Sequence, residues 1–328
     1  MESKCILPVK TPKLSTYHFE ANACIVGSRN PTFINWIHNK CVNISCGKRF
    51  LDGFGSLRLI IDNTQYYNIP YFKKKMISAQ YSRSDFKNFI EHSINQGIYV
   101  LFESVDDFYI ENKTWYERRH FLHDGLIVGY DNDKSKYYIA AYDSAWVHRV
   151  FETSQKAFFE GVDAALKLDG FSKLISLKIT DEVIPLNTYE IVQNLKKYIY
   201  SEKTEESLDL INGLETFKYA DIYLDYLYKG KILFENTDYR IMRVIWEHKK
   251  CMLERIQVLE KEYMLSSEIS SDYANLVKRS NDIRMIYSNY CITGRKNLLE
   301  TIRRELSQIT LEERKLILKL IEVMEKGR

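Results

Sequence analysis

Three residues whose types support nucleophilic acyl chemistry occur in a workable order along this chain: Cys24, His123 and Asp143. A thiolate can attack a carbonyl, an imidazole can carry the proton, and a carboxylate can hold the imidazole in one tautomer. Cys24 lies in Phe19-Glu20-Ala21-Asn22-Ala23-Cys24-Ile25, where helical periodicity begins to show. A thiol at a helix N-terminus has its thiolate stabilised by the helix dipole and by unpaired N–H groups. His123 precedes the apolar run Gly125 to Tyr130, and Asp143 follows the run Lys136 to Tyr142. The Asp/Asn-rich turn Asp131 to Ser135 between them reads as a hairpin, which brings the start of one strand beside the end of the next. Each residue alone is more simply structural, as a buried thiol, a turn acid or a capping group. Their combination carries the signal. His120 is the rival base, and Asp124, Asp131 and Asp133 are rival acids.

Other elements must hold these residues in place. Ser82 to Gly97 reads as a helix, with Ser82 or Ser84 able to cap it, an apolar stripe at Phe86, Phe89, Ile90 and Ile94, and Gly97 ending it. Strands are expected at 98–103, 148–152 and 173–179, and a helix at 154–168. Ala23 to His38 looks helical with a break near Arg29-Asn30-Pro31. Helices followed by a meander of strands make an α+β domain. All five Pro occur at or before Pro185, and residues beyond it carry only four Gly. That shift predicts two domains: 1–184, holding the chemistry, and 185–328, an all-α bundle with helices near 188–200, 205–228, 238–264, 267–290 and 294–326.

Composition narrows the function classes. The 328 residues carry a net charge of only +3, without the concentrated basic face of a nucleic-acid binder. The six Cys are irregularly spaced, which argues against a disulfide scaffold. Without an apolar leader or a span-length apolar run, the expected setting is the cytoplasm, with no membrane role, where free thiols persist. His38, Cys41 and Cys46 lack the second ligand pair of a zinc site, so no metal is expected. Gly53 and Gly55 lack the Gly-Lys-Ser/Thr of a phosphate loop. Lys73-Lys74-Lys75, Arg118-Arg119 and Arg303-Arg304 read as solvated faces, or alternatively as docking points for an acidic partner. The aromatic-rich segment 105–115, with Phe108, Tyr109 and Trp115, could wall or cover a substrate site.

The stretch from His123 through Gly129-Tyr130-Asp131 to Asp143 resembles the His-to-Asp hairpin of papain-like acyltransferases and amide synthases of natural-product biosynthesis, the BtrH N-terminal-like family. The likeness covers roughly residues 15–180 in motif terms. It implies a papain-like fold, Cys24 as nucleophile, His123 as its base and Asp143 as the orienting acid. It also implies an acyl thioester on the phosphopantetheine arm of a carrier protein, an amine acceptor, and no cofactor bound by the chain itself. Papain-like proteases place a Gln shortly before the Cys to build the oxyanion hole. Here the polar residues in that region are His18 and Asn22, which makes them the candidate oxyanion donors and favours amide synthesis over proteolysis. The alternatives are a cysteine peptidase or thioesterase using the same residues, and a non-enzymatic binding protein.

Overall fold

The computed structural model describes residues 3–52, 57–61, 69–78, 82–203 and 210–326, so Gly53 and Gly55 lie outside the described residues. The fold is α+β, with antiparallel sheets and a helical C-terminal region. No helix among the described residues is long and apolar enough to cross a membrane. The chain divides into two units, Met1–Pro31 with Thr64–Val183, and Thr32–Asn63 with Ile184–Arg328.

The first unit is built on a seven-stranded antiparallel sheet. Its strands are β1 (Lys4–Ile6), β4 (Phe72–Ser78), β5 (Tyr99–Asp106), β6 (Leu122–Asp131), β7 (Lys136–Tyr142), β8 (His148–Ser154) and β9 (Lys173–Ile179). Their order is β4-β9-β5-β6-β7-β8, with β1 added onto β6. Nearly every residue of β5 and of the second half of β6 is buried, the pattern of strands covered on both faces. The covering helices are α1 (His18–Gly27), α3 (Arg83–Asn95) and α4 (Gln155–Asp169). Ser82 caps α3 in a reciprocal capping box with Asp85, and Gly97 takes φ 73° just beyond it.

Strand β6 changes partner along one edge. Its first half pairs with β5, Val105 facing His123, while its last residues pair with β1, Ile6 facing Gly129. Gly129 is required there: a Cβ would lie 2.6 Å from the Cys5 carbonyl oxygen and 2.8 Å from Ile6 Cα. Gly129→Ala is therefore expected to cost about 1–3 kcal/mol of stability, measured by chemical denaturation. A bulge between Phe102 and Val105 bends the end of β5 that carries Asp106 and leads into Asp107.

The second unit holds α2 (Phe33–Lys40), α5 (Thr188–Tyr200), α6 (Glu215–Lys229), α7 (Ile241–Glu262), α8 (Glu268–Thr293) and α9 (Asn297–Lys326). A small sheet joins them, ordered β10 (Ile211–Asn212), β2 (Ile44–Cys46), β3 (Leu59–Ile61). The second unit is thus not all-α, and it includes a segment that a single division after residue 184 leaves in the first. The reason is specific bonding. Arg255 of α7, fully buried, donates to the carbonyls of His38 (2.7 Å), Ile37 (3.1 Å) and Cys41 (2.7 Å), closing the C-terminal end of α2. His248 Nε2 bonds the Val42 carbonyl at 2.8 Å. The expected helix from 205 begins instead at Glu215, after β10, with 204–209 outside the described residues.

Candidate functional site

The C-terminal end of β5, the start of β6 and the first turn of α1 supply the titratable side chains of the first unit's candidate site. His123 lies on β6 opposite Val105, two residues before Asp107. His18 is the first residue of α1. Their Nε2 atoms are 3.1 Å apart, and the rings meet edge to face at 4.4 Å between centroids. At the outer nitrogens, Lys113 Nζ lies 3.2 Å from His123 Nδ1, and Asp124 Oδ1 lies 3.1 Å from His18 Nδ1.

These contacts fix the tautomers. An ammonium only donates, so His123 accepts at Nδ1 and carries its proton on Nε2. That proton is given to His18 Nε2, which leaves the His18 proton on Nδ1, facing the Asp124 carboxylate. The chain of donors runs Lys113 to His123 to His18, with the Asp124 carboxylate 3.1 Å from His18 Nδ1. Burial holds His123 neutral, taking its pKa down to about 2, with Lys113 and His18 pushing the same way. Asp107 Oδ1 pairs with Lys113 at 3.4 Å, and its Oδ2 lies 3.8 Å from His123 Nδ1. Burial raises Asp107 to about 6, against the attraction of Lys113.

Beside this relay stands a separate dyad. The fully buried Asp106 carboxylate holds His120 Nδ1 at 2.6 Å and accepts from the Phe108 and Phe121 N–H groups, while the His120 side chain stays half exposed. His120, the rival base, therefore has the better-seated carboxylate.

Asp143 is not the acid that His123 meets. Leu126 faces Ala140, and continuing that register sets His123 opposite Asp143, so the hairpin does bring both to one sheet end. Yet Asp143 Oδ1 accepts from the Ala145 (2.8 Å) and Val147 (2.9 Å) N–H groups, and its Oδ2 from Arg149. Burial alone would raise its pKa, but these three donors hold it below the usual carboxylate value. Turn chemistry in the tight β7–β8 connection has claimed the carboxylate.

Cys24 is not at a helix start. Helix α1 begins at His18, six residues earlier, and the Cys24 carbonyl accepts from Ser28 within the helical run. Cys24 is buried, about 9 Å along the axis and about 240° around it from His18. The dipole argument for its thiolate therefore does not hold, and the residue at the dipole's positive end is His18. Asn22, one helical turn beyond His18, is 1% exposed, and neither its Nδ2 nor its Oδ1 has a partner among the described residues.

The aromatic segment is anchored rather than free. Phe108 and Tyr109 sit in a 3-10 turn, Phe108 stacks on His120 at 4.6 Å, and Lys113 is buried. Trp115 reaches Phe121 (6.1 Å), and Phe121 reaches His123 (5.5 Å), so Phe121 is the ring nearest the relay in that chain of contacts. Sequence reasoning did not single out Phe121, Lys113, Asp106 or Asp107. The Asp106-Asp107 pair at a strand end was the available signal.

Of the basic groups, Lys73, Lys74 and Lys75 are exposed on edge strand β4, Arg118 and Arg119 are exposed near the site segment, and Arg303 is tied to Asp221 and Asp225. The thiol of Cys46 is pushed up to about 12 by burial, which disfavours its ligating form. Among the described residues, the set with ligand atoms close enough to hold a metal is His18, His123 and Asp124, within 4.8 Å of one another. Compared with known proteins, the chain matches no family model, and no curated protein matches it significantly.

Proposed function

We propose that the chain transfers an acyl group from a thioester to an amine, with the His18–His123 pair as its acid–base centre. The observation that carries this reading is the 3.1 Å Nε2–Nε2 contact, with Lys113 at the outer nitrogen of His123 and the Asp124 carboxylate 3.1 Å from that of His18. Opening that one hydrogen bond frees a lone pair on His18 and a proton on His123 at neighbouring points. A substrate that parts the two rings meets a base on one side and a donor on the other.

The roles differ from those the resemblance implies. His18, backed by Asp124, takes the proton of the attacking amine. His123, kept neutral, donates its Nε2–H to the oxyanion of the tetrahedral intermediate, as a lowered-pKa imidazole can. Collapse breaks the C–S bond, and the departing thiolate receives the proton from His18. The amide forms by direct aminolysis, with no acyl group passing through Cys24. The phosphopantetheine arm of a carrier protein is the proposed donor, with the exposed Arg118 and Arg119 as basic groups for its acidic surface.

The test supplies an acyl N-acetylcysteamine thioester with and without an amine, and follows amide and free acid by chromatography. Amide formation that persists in Cys24→Ala and is lost in His18→Ala supports the reading. An acyl adduct on Cys24 would restore the thiol mechanism. Free acid alone, whatever amine is offered, would make the chain a hydrolase.

A further inference from the structure

The His18–His123 contact has a second chemical meaning. Two imidazole Nε2 atoms 3.1 Å apart are close to the ligand-to-ligand edge of a tetrahedral zinc centre, about 3.3 Å for Zn–N bonds of about 2.0–2.1 Å. Asp124 supplies a third ligand atom within 4.8 Å. Behind His123, outside the ligand set, the Asp107 carboxylate lies 3.8 Å from Nδ1, whereas Asp124, now 3.1 Å from His18 Nδ1, must turn from that nitrogen to ligate. Metal-bound histidines characteristically have such backing, which orients the ring and raises its basicity. The three side chains are 24%, 24% and 22% exposed, enough for an ion to enter and too little for it to stay fully hydrated.

We infer that His18, His123 and Asp124 bind a divalent transition-metal ion, zinc being the best match, and that the ion and the acid–base pair exclude each other. Two imidazoles and a carboxylate without thiolate suit zinc, cobalt or nickel better than the hard, oxygen-seeking cations. Three protein ligands leave a fourth position open. His18 already presents its lone pair at Nε2. His123 must move its proton from Nε2 to Nδ1, where Asp107 can accept it once Lys113 swings away. The binding claim stands on this geometry alone, whereas the mutual exclusion rests on the acyl-transfer reading.

The experiment titrates the chelator-stripped full chain with Co²⁺, reading the visible d–d band, and then displaces the cobalt with Zn²⁺. One equivalent should bind. His18→Ala and His123→Ala should each weaken binding at least 100-fold, and Asp107→Asn about 10- to 100-fold. His120→Ala, which removes a ring outside the ligand set, should leave the titration unchanged. Circular dichroism reports whether each variant folds, and Asp107→Asn, which alters no ligand, still tests the site if a histidine variant does not. No saturable binding, or binding indifferent to His18 and His123, overturns the proposal. Zinc should also abolish acyl transfer in proportion to occupancy. Bound zinc with transfer unaffected removes the exclusion, and metal binding in a protein with no transfer activity removes the acyl-transfer reading instead.

Discussion

His18→Ala is expected to lower acyl transfer by about 10²- to 10⁴-fold, the range a positioned general base contributes. His123→Ala should cost about 10²- to 10³-fold, the range of a single oxyanion donor. The two effects should fall well short of additive, because removing either ring dismantles one hydrogen-bonded relay, His18 Nε2 to His123 Nε2 at 3.1 Å. The informative contrast is Asp143→Asn. If Asp143 oriented the base, this change would disturb the tautomer and cut kcat by orders of magnitude. Since its oxygens serve Ala145, Val147 and Arg149, Asp143→Asn should lower stability by about 1–3 kcal/mol and leave kcat within a few-fold. Steady-state kinetics with a parallel urea titration separates the two outcomes.

The second large effect concerns stability. In the second unit, Lys249 and Glu313 form an ion pair at 2.6 Å with both side chains completely buried. Tyr198 donates to Glu313 Oε2 at 2.8 Å, Tyr273 donates to Oε1, and Lys249 also reaches Tyr198 and His248 Nδ1. Burial pushes the lysine down, and Glu313 opposes that shift by favouring the charged form. Removing one partner strands the other. Glu313→Gln is expected to destabilise the chain by about 3–5 kcal/mol. The double variant Lys249→Met with Glu313→Leu should recover much of that loss, because no charge is then left unpaired. Urea unfolding of the three proteins measures both numbers; equal losses in the single and double variants would show that the pair itself, rather than the uncompensated charge, carries the stability.

How much of this was legible in the sequence depended on whether a local rule matched the tertiary outcome. Helix α3 was readable because Ser82, Asp85 and Gly97 carry its boundaries in their side chains and backbone. The β6–β7 hairpin was readable from its turn and flanking apolar runs. The start of α1 was not: its N-cap is Tyr17, with no side-chain capping bond, so nothing marked His18 as the first helical residue, and Cys24 inherited a position it does not have. Strand β4 was hidden by its lysines, which suit an edge strand but resemble a solvated run. Lys113 was invisible as a site residue because burying a lysine requires partners, Asp107 and His123, that only the sheet brings together. The carboxylate that faces His123 Nδ1, Asp107, came from the 3-10 turn after a neighbouring strand, and hairpin logic alone cannot see across that edge.

The membership of Thr32–Asn63 in the second unit bears on how the protein is made. The carbonyl of His38 waits for Arg255, which is 217 residues further on. At a synthesis rate of about 5–20 residues per second, α2 leaves the ribosome about 10–40 s before the guanidinium that closes its end exists. Trp36, Ile37 and Cys41, all buried in the finished protein, belong to a helix that packs on α5 as well as α7, so its native neighbours arrive in two stages, the later of them with Arg255. The nascent chain therefore passes through a stage in which α2 lacks the group that closes its end, so translation speed and chaperone access between residues 63 and 255 should bear on the yield of folded protein.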